Sequence, residues 1–262
     1  FYVMPILGYS EDFHPLSFQE NLLLNVASIP ENQGAEDESQ LFEVGIVFVL
    51  DTTQSMGPYI QRTQDMLGKI ITDLRASELG KRMHFGAVAF RDNPQAADGL
   101  GYRSKTIIPL ERRTDHSVVA DAIGNTAEAT VSSPGFNEDS FAGVLHALDE
   151  TDWEPNNNGF GARYVILVTD AGPKTPDDPN ALDAETARDA ATLQQHASEK
   201  GIAVLTLHLK TQAGGAGNHG YAQREYSRLS SWGGNTYYYP IDQGSAESFQ
   251  SEADRVVRDL TL

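Results

Sequence analysis

The chain has 262 residues, and its 37 acidic and 19 basic side chains give a formal net charge of −18. This charge argues against a nucleic-acid partner and against docking on anionic lipid, because both need clustered Lys and Arg. The absence of cysteine excludes disulfides, thiolate catalysis and cysteine-ligated metal sites. No apolar run approaches the roughly 18 residues of a membrane span, so direct membrane insertion of this fragment is not expected. The chain opens with Phe1, and we expect it to be a domain excised from a longer protein.

The first 40 residues are predicted to form an arm that packs on the domain following it. Residues 1–7 are typical of a short strand, 18–26 of a short helix, and 29–40 of a polar linker. The side chains at 22–24 and 26 are strongly apolar, and burying each would contribute roughly 1.5–3 kcal/mol to stability. We therefore expect the arm to be packed and not free in water.

From residue 41 onward, strand-like and helix-like segments alternate. Continuous apolar, β-branched runs indicate strands buried on both faces, and one pair joined by a turn of Asn, Pro, Asp and Gly is typical of a hairpin. The predicted strands are 44–50, 84–90, 103–110, 163–169, 202–209 and 235–239. The predicted helices are 57–77, 115–127, 139–151, 183–199, 222–232 and 245–260. This order predicts an α/β fold with a doubly wound, mostly parallel central sheet flanked by helices and one antiparallel edge strand from the hairpin.

Polar side chains follow two of the predicted buried strands. Asp51 and Asp170 lie at strand ends, where open α/β sheets bind their ligands. Thr53 and Ser55 follow Asp51 at alternate positions, so a carboxylate and two hydroxyls can face a common point. Such a set of hard oxygen ligands suits Mg²⁺, Mn²⁺ or Ca²⁺. The alternative is a helix N-cap, in which the hydroxyls satisfy free backbone N–H groups.

The Asp-x-Thr-x-Ser pattern at 51–55 resembles the metal-ion-dependent adhesion site of von Willebrand factor A (vWA) domains. Three further segments resemble, in order, that family's second strand with its turn, its Thr-Asp-Gly strand end and its last strand. They are 85–92, 165–172 and 233–238. Ala171 stands where the family more often has Gly. The resemblance covers residues 41–262 and implies that they form a vWA domain with its Rossmann-like fold.

The resemblance also implies a set of metal ligands from three loops. They are Thr53 and Ser55 through their hydroxyl oxygens, and Asp51 and Asp170 directly or through water. The family's remaining ligand is a Thr in the loop before the third helix, and residues 135–140 contain no Thr. Asp139 is nearest to that position, with Ser140 as the alternative. A capped helix start is a less favoured interpretation of the same loop. An extra carboxylate there would lower the residual positive charge of the cation.

The expected function is that of a protein-binding module that recognises a partner protein through a divalent cation. The retained waters of such a site favour Mg²⁺, with Mn²⁺ or Ca²⁺ as substitutes. In related domains an acidic side chain of the partner fills the open coordination position. The alternative is a metal-independent scaffolding domain of a larger membrane-anchored signalling or secretion protein. A metal-assisted hydrolase is less favoured because the motif supplies no base, so the fragment is not expected to be an enzyme.

The wider setting is suggested by similarity to bacterial vWA domains. Some of these are attached to membrane-anchored serine/threonine kinases associated with type VI secretion. The resemblance implies an extracytoplasmic, periplasmic location, with a cytoplasmic one left open, and a kinase domain upstream of this fragment.

Three other features are given structural interpretations. The Gly-rich segment 214–220 lacks the Lys-Ser/Thr ending of a phosphate loop and is predicted to be a mobile loop. Arg91 and Asp92 lie in a turn and could form a local ion pair. His208 and His219 show no spacing typical of zinc ligands.

Overall fold

The computed structural model describes residues 6–13, 20–26, 43–77, 80–112, 114–155, 159–182, 188–242 and 245–261. The chain divides into two compact units, Phe1–Leu41 and Phe42–Leu262. In the first unit, β1 (Ile6–Phe13) pairs antiparallel with β2 (Glu20–Val26).

The helix predicted for 18–26 is therefore wrong, because most of that segment is strand β2. A helix of nine residues is marginal on its own, whereas pairing with β1 supplies hydrogen bonds to the backbone groups on one edge of the strand. The polar linker predicted at 29–40 lies outside the described residues.

The second unit contains a six-stranded sheet and a small two-stranded ribbon. Its strands are β3 (Val44–Asp51), β4 (Met83–Phe90), β5 (Ser104–Ile108), β6 (Ala162–Thr169), β7 (Ala203–Lys210), β8 (Ser231–Trp232), β9 (Asn235–Thr236) and β10 (Tyr238–Asp242). The sheet order is β10-β7-β6-β3-β4-β5, and β8 pairs with β9. All neighbours in the sheet are parallel except β4 and β5, which confirms the predicted antiparallel hairpin at one edge.

Six α-helices accompany the sheet in the described part of the second unit. They are α1 (Ile60–Ala76), α2 (His116–Gly124), α3 (Ser140–Asp149), α4 (Ala190–Glu199), α5 (Gly215–Leu229) and α6 (Ala246–Thr261). Helix α5 begins seven residues before its predicted start, so the Gly-rich segment forms its first turns and is not a loop. Its His219 ring lies 2.6 Å from the carbonyl oxygen of Thr211, a tertiary contact that the low helix propensity of glycine does not reveal.

The helices cover both faces of the sheet, as strand β3 illustrates. Ile46, Phe48 and Leu50 face a core cluster shared with α1, α2 and α6. Val47 and Val49 face a second cluster shared with α3, α4 and α5. This arrangement confirms the doubly wound α/β fold and explains why β3 is apolar at nearly every position.

The centre of the sheet positions the candidate site. The chain passes from β3 to β4 on one side and returns to β6 on the other side of β3. Such a change of direction opens a crevice at the carboxyl ends of the strands. Asp51 is the last residue of β3, and Asp170 directly follows β6. No helix within the described ranges is long and apolar enough to cross a membrane.

Candidate metal centre

Asp51 anchors the candidate site at the end of β3. The side chain is buried, with 1% of the residue's surface exposed. Its Oδ1 atom accepts hydrogen bonds from the backbone N–H of Thr53 at 2.9 Å and from the Thr53 hydroxyl at 2.6 Å. Its Oδ2 atom accepts from the hydroxyl of Thr169 at 2.7 Å. The carboxylate is thus fixed in orientation by the turn that follows β3 and by strand β6.

The hydrogen bonding continues from Asp51 to Asp170. The hydroxyl oxygens of Thr53 and Ser55 lie 3.1 Å apart, and the Ser55 hydroxyl donates to Oδ1 of Asp170 at 2.9 Å. The hydroxyl of Thr211 donates to the other oxygen of Asp170 at 3.3 Å. Four of the six residues predicted as ligands therefore lie on one continuous set of contacts. We call these four, Asp51, Thr53, Ser55 and Asp170, the carboxylate–hydroxyl chain.

The N-cap alternative is wrong for these hydroxyls. Thr53 does occupy the N-cap position of a short 3₁₀ helix, Gln54–Met56, but its side chain makes no capping hydrogen bond. The hydroxyls contact carboxylates instead, which is the arrangement expected of a hard-cation site.

The two carboxylates are held where negative charge is unfavourable. Burial, and then the charge of Asp170, raise the pKa of Asp51 from its ordinary value to about 7. Burial also raises the pKa of Asp170, against hydrogen bonds from Ser55 and Thr211 that lower it. A divalent cation between the two groups would offset both effects.

The structure does not bring Asp139 or Ser140 into the carboxylate–hydroxyl chain. Arg103 contacts both carboxylate oxygens of Asp139, at 3.0 and 3.2 Å, and the backbone N–H of Asn93 donates to one of them at 2.9 Å. Asp139 stands at the N-cap position of α3 without a capping side-chain hydrogen bond. The Ser140 hydroxyl is buried and lies 2.9 Å from the hydroxyl of Tyr226.

Asp92 is fully buried beside the site, and the local ion pair expected with Arg91 is wrong. The Asp92 carboxylate lies 2.8 Å from Nζ of Lys174, which is itself 4% exposed. It also accepts from the backbone N–H of Asp139 at 2.9 Å and from the Ser133 hydroxyl. Arg91 donates instead to two backbone carbonyl oxygens. The partner of Asp92 comes from a distant loop, which sequence spacing does not reveal.

Glu138 was not among the ligands expected from the sequence, although the structure places it at the site. With Asp92, Thr53 and Ser55 it lines a cavity of about 60 Å³. The residue is 7% exposed, and its Oε2 atom is buried without a hydrogen-bond partner among the described residues. Burial, and then the charges of Asp51 and Asp92, raise the pKa of Glu138 well above its ordinary value.

The backbone of Glu138 is fixed by the loop that follows Asp170. Its N–H donates to the carbonyl oxygen of Gly172 at 2.9 Å, and its carbonyl oxygen accepts from the N–H of Lys174 at 2.8 Å. These two bonds form a parallel bridge with Pro173. The only sequence signal for Glu138 was its acidic character in the loop where a further ligand was sought.

The donor set fits a hard divalent cation and not a soft one. Within the described ranges, no three His, Asp or Glu side chains converge as a ready-made metal cluster. The carboxylate–hydroxyl chain supplies two carboxylates and two hydroxyls, and oxygen ligands of this kind suit Mg²⁺, Mn²⁺ or Ca²⁺. The oxygen of Glu138 that has no partner among the described residues is a further possible ligand, at the cavity that Thr53 and Ser55 line.

Two imidazoles beside the site take part in hydrogen bonds between side chains and backbone. Nδ1 of His208 lies 2.6 Å from the hydroxyl of Tyr238, and its Nε2 lies 3.2 Å from Nδ1 of His219. Nε2 of His219 lies 2.6 Å from the carbonyl oxygen of Thr211. Burial lowers the pKa of His208 to about 3, so its imidazole is neutral. We call these four residues the imidazole row.

Comparison with protein families gives one match that covers most of the chain. Residues 45–251 match the family described as von Willebrand factor type A domain. Comparison with curated protein sequences found no significant match.

Solved structures of low sequence identity share the fold. Proximal thread matrix protein 1 from the mussel byssus superposes with a TM-score of 0.56 at 15% identity, over 83% of this chain and 46% of that one. The pilus adhesin SpaC from Lactobacillus rhamnosus GG gives 0.58 at 13% identity, over 97% and 33%. BatB from Bacteroides thetaiotaomicron, a conserved hypothetical protein, gives 0.53 at 14% identity, over 84% and 100%. This chain thus spans less than half of the mussel protein and a third of SpaC. Another structure of the mussel protein has a zinc-occupied MIDAS (metal-ion-dependent adhesion site) motif.

Proposed function

Because the chain belongs to the von Willebrand factor type A domain family, we propose that it is a protein-binding module that recognises a partner protein through a divalent cation. Domains of this family commonly mediate protein interaction and are generally not catalytic. The observation that carries the proposal is the carboxylate–hydroxyl chain, which joins residues from two strand ends at the crevice of the sheet.

Each member of the chain has a proposed role toward the cation. The hydroxyl oxygens of Thr53 and Ser55 would ligate directly, and the carboxylates of Asp51 and Asp170 directly or through water. Thr169 would hold Asp51 in place, because its hydroxyl donates to the carboxylate at 2.7 Å. The zinc-occupied motif of the mussel protein supports divalent binding by this fold, whereas the oxygen ligands of this chain favour Mg²⁺, with Mn²⁺ and Ca²⁺ as substitutes.

The partner is proposed to dock on the edge formed by the loops after β3 and β6 and the loop before α3. All the proposed ligands come from these loops. The wider setting, an extracytoplasmic vWA domain of a bacterial type VI secretion-associated kinase, stays a prediction from resemblance alone.

Calorimetric titration of Mg²⁺, Mn²⁺ and Ca²⁺, with melting curves alongside, tests the metal site. A cation that binds only the folded chain should stabilise it by roughly 2.7 kcal/mol at a hundredfold excess over Kd. Ser55→Ala should lose most of this gain, because it removes one proposed ligand from a half-buried position. Thr72→Ala, on the exposed side of α1, is the matched control and should behave like the wild type. Neither heat nor stabilisation at millimolar cation in the wild type would favour the metal-independent scaffold instead.

A further inference from the structure

We propose that Glu138 is a further ligand of the same cation and that its carboxylate decides which partner group the site accepts. This inference rests on the proposed function, because it concerns the cation of the carboxylate–hydroxyl chain. It assigns to Glu138 the place that the family gives to a neutral Thr.

One carboxylate oxygen of Glu138 is unsatisfied among the described residues. Oε2 of Glu138 is buried without a partner among the described residues, and the side chain shares its cavity with Thr53 and Ser55. Leaving such an acceptor unpaired is unfavourable, and more so for a charged group. Buried polar groups without a partner call for a specific explanation, and a cation at this cavity supplies one.

Backbone hydrogen bonds also fix the position of Glu138. The bridge between Glu138 and Pro173 ties the loop before α3 to the segment that directly follows Asp170. On the next residue, Asp139 is held by Arg103 in a separate contact. The backbone thus presents Glu138 to the cavity and Asp139 to the basic side chain. Of the two acidic neighbours, only Glu138 is placed to reach the cation.

The charge of the occupied site follows from its ligands. The carboxylates of Asp51, Asp170 and Glu138 do not already converge as a cluster, but drawing them to one cation would bring three negative charges to two positive ones. The nearby Asp92 does not alter this balance, because Nζ of Lys174 lies 2.8 Å from it. The occupied site would therefore carry a net charge of about −1 by this count of formal charges, and a further carboxylate would be repelled. We infer that the open coordination position takes a neutral oxygen, from a hydroxyl or an amide, and not the acidic side chain that the family resemblance implies.

A rival explanation is that Glu138 is a neutral, protonated group that only hydrogen-bonds Asp92. Glu138→Gln distinguishes a cation ligand from a protonated acid that only hydrogen-bonds. An amide has the size and hydrogen-bonding capacity of the protonated acid but is a far weaker ligand. In the absence of divalent ions, Glu138→Gln should melt at or above the wild-type temperature, since a buried acid is removed from beside Asp51.

Titration of Mn²⁺ by calorimetry is the decisive measurement. Glu138→Gln should bind Mn²⁺ at least about tenfold more weakly than the wild type, since even residues that only orient a ligand typically change affinity by roughly 10–100-fold. Asp139→Asn is the matched control and should keep wild-type affinity. Equal affinities of the wild type and Glu138→Gln would overturn the inference while leaving the proposed function intact. A wild type that binds no cation would overturn both.

The partner preference is tested with acetate as a carboxylate probe. Water proton relaxation by bound Mn²⁺ reports how many waters remain on the ion. Adding acetate should leave this relaxation unchanged in the wild type, whereas in Glu138→Thr, which restores a neutral hydroxyl, acetate should displace water and lower it. A loss of relaxation of the same size in both proteins would overturn the assignment of partner preference to Glu138.

Discussion

At the scale of single residues, the carboxylate of Asp51 is the clearest case of a group kept where its charge is unfavourable. It is buried, it lies near a second carboxylate, and it accepts hydrogen bonds from two hydroxyls and one backbone N–H. A proton or a divalent cation would each neutralise part of this unfavourable negative charge. The two should therefore compete for the site, and cation affinity should rise with pH through the raised pKa of about 7.

The same raised pKa predicts the pH dependence of stability in EDTA. Between about pH 4 and 7 the folded state keeps a proton on Asp51 that the unfolded state has lost, so the free energy of unfolding falls as pH rises. Relative to Asp51→Asn, the wild type should lose on the order of 1–4 kcal/mol from pH 4 to pH 8, since each pKa unit is worth about 1.4 kcal/mol.

Urea denaturation of both proteins at several pH values measures this difference. The lowered pKa of His208 works in the opposite direction, because the unfolded state gains a proton there below about pH 6.5. That contribution is common to both proteins and cancels in the comparison. A difference that does not change with pH would show that Asp51 titrates normally.

The sequence predicted the members of the carboxylate–hydroxyl chain but not Glu138. Three members of the carboxylate–hydroxyl chain lie within five residues of each other, and Asp170 directly follows a strand that is evident from its apolar run. Which residue of the loop before α3 faces the cavity depends on the bridge to Pro173 and on Arg103 holding Asp139. Those contacts join distant parts of the chain, so local pattern carries no sign of them.

At the scale of secondary-structure elements, α3 lies against the sheet at Gly143. A methyl group there would stand 2.9 Å from side-chain atoms of Phe90 and Val49. Glycine is needed here because α3, the helix that follows the loop of Glu138, approaches β3 and β4 closely. Gly68 in α1 has no such neighbour within 4 Å.

Opposite effects on stability are therefore expected from the same substitution in the two helices. Gly143→Ala should destabilise the protein by about 1–3 kcal/mol through overpacking. Gly68→Ala should stabilise it by about 0.5–1 kcal/mol, because alanine favours the helix and meets open space. Chemical denaturation of both variants measures the two changes. Equal destabilisation by both would mean that contact with the sheet is not the cause at Gly143.

The elements that the sequence predicted well are strands that are buried on both faces. Strands β3 and β6 lie in the middle of the sheet, so both faces are covered and the apolar run is continuous. Strand β2 and the start of α5 were predicted wrongly for different reasons. The first depends on its pairing with β1. The second contains glycines of low helix propensity beside Asn218, whose side chain contacts the distant residues Asn137 and Gly172.

At the scale of the whole molecule, the described residues of the N-terminal unit form only the β1–β2 hairpin. A two-stranded hairpin such as β1–β2 is at best marginally stable alone. The apolar residues at 22–24 and 26 would gain from burial elsewhere. The sequence prediction that residues 1–40 pack on the domain has this physical basis.

A chain shortened to 42–262 tests that prediction. It should fold, because the sheet and both core clusters lie within it, but it should melt at a lower temperature than the full chain. Adding a peptide of residues 1–41 should raise the melting temperature again. Identical melting of the short and full chains would mean that the arm is an independent linker.

The imidazole row also imposes a direction on its protons. The carbonyl oxygen of Thr211 can only accept, so Nε2 of His219 carries a proton. In the tautomer with that single ring proton, Nδ1 of His219 accepts from Nε2 of His208. Nδ1 of His208 then accepts from the hydroxyl of Tyr238. Each hydrogen bond of the imidazole row is therefore donated in the direction from Tyr238 on β10 toward Thr211. The hydroxyl of Thr211 in turn donates to Asp170. The tautomers of the two rings thus connect strand β10, at the edge of the sheet, with the candidate metal site. Neither imidazole can change its tautomer without the other changing too.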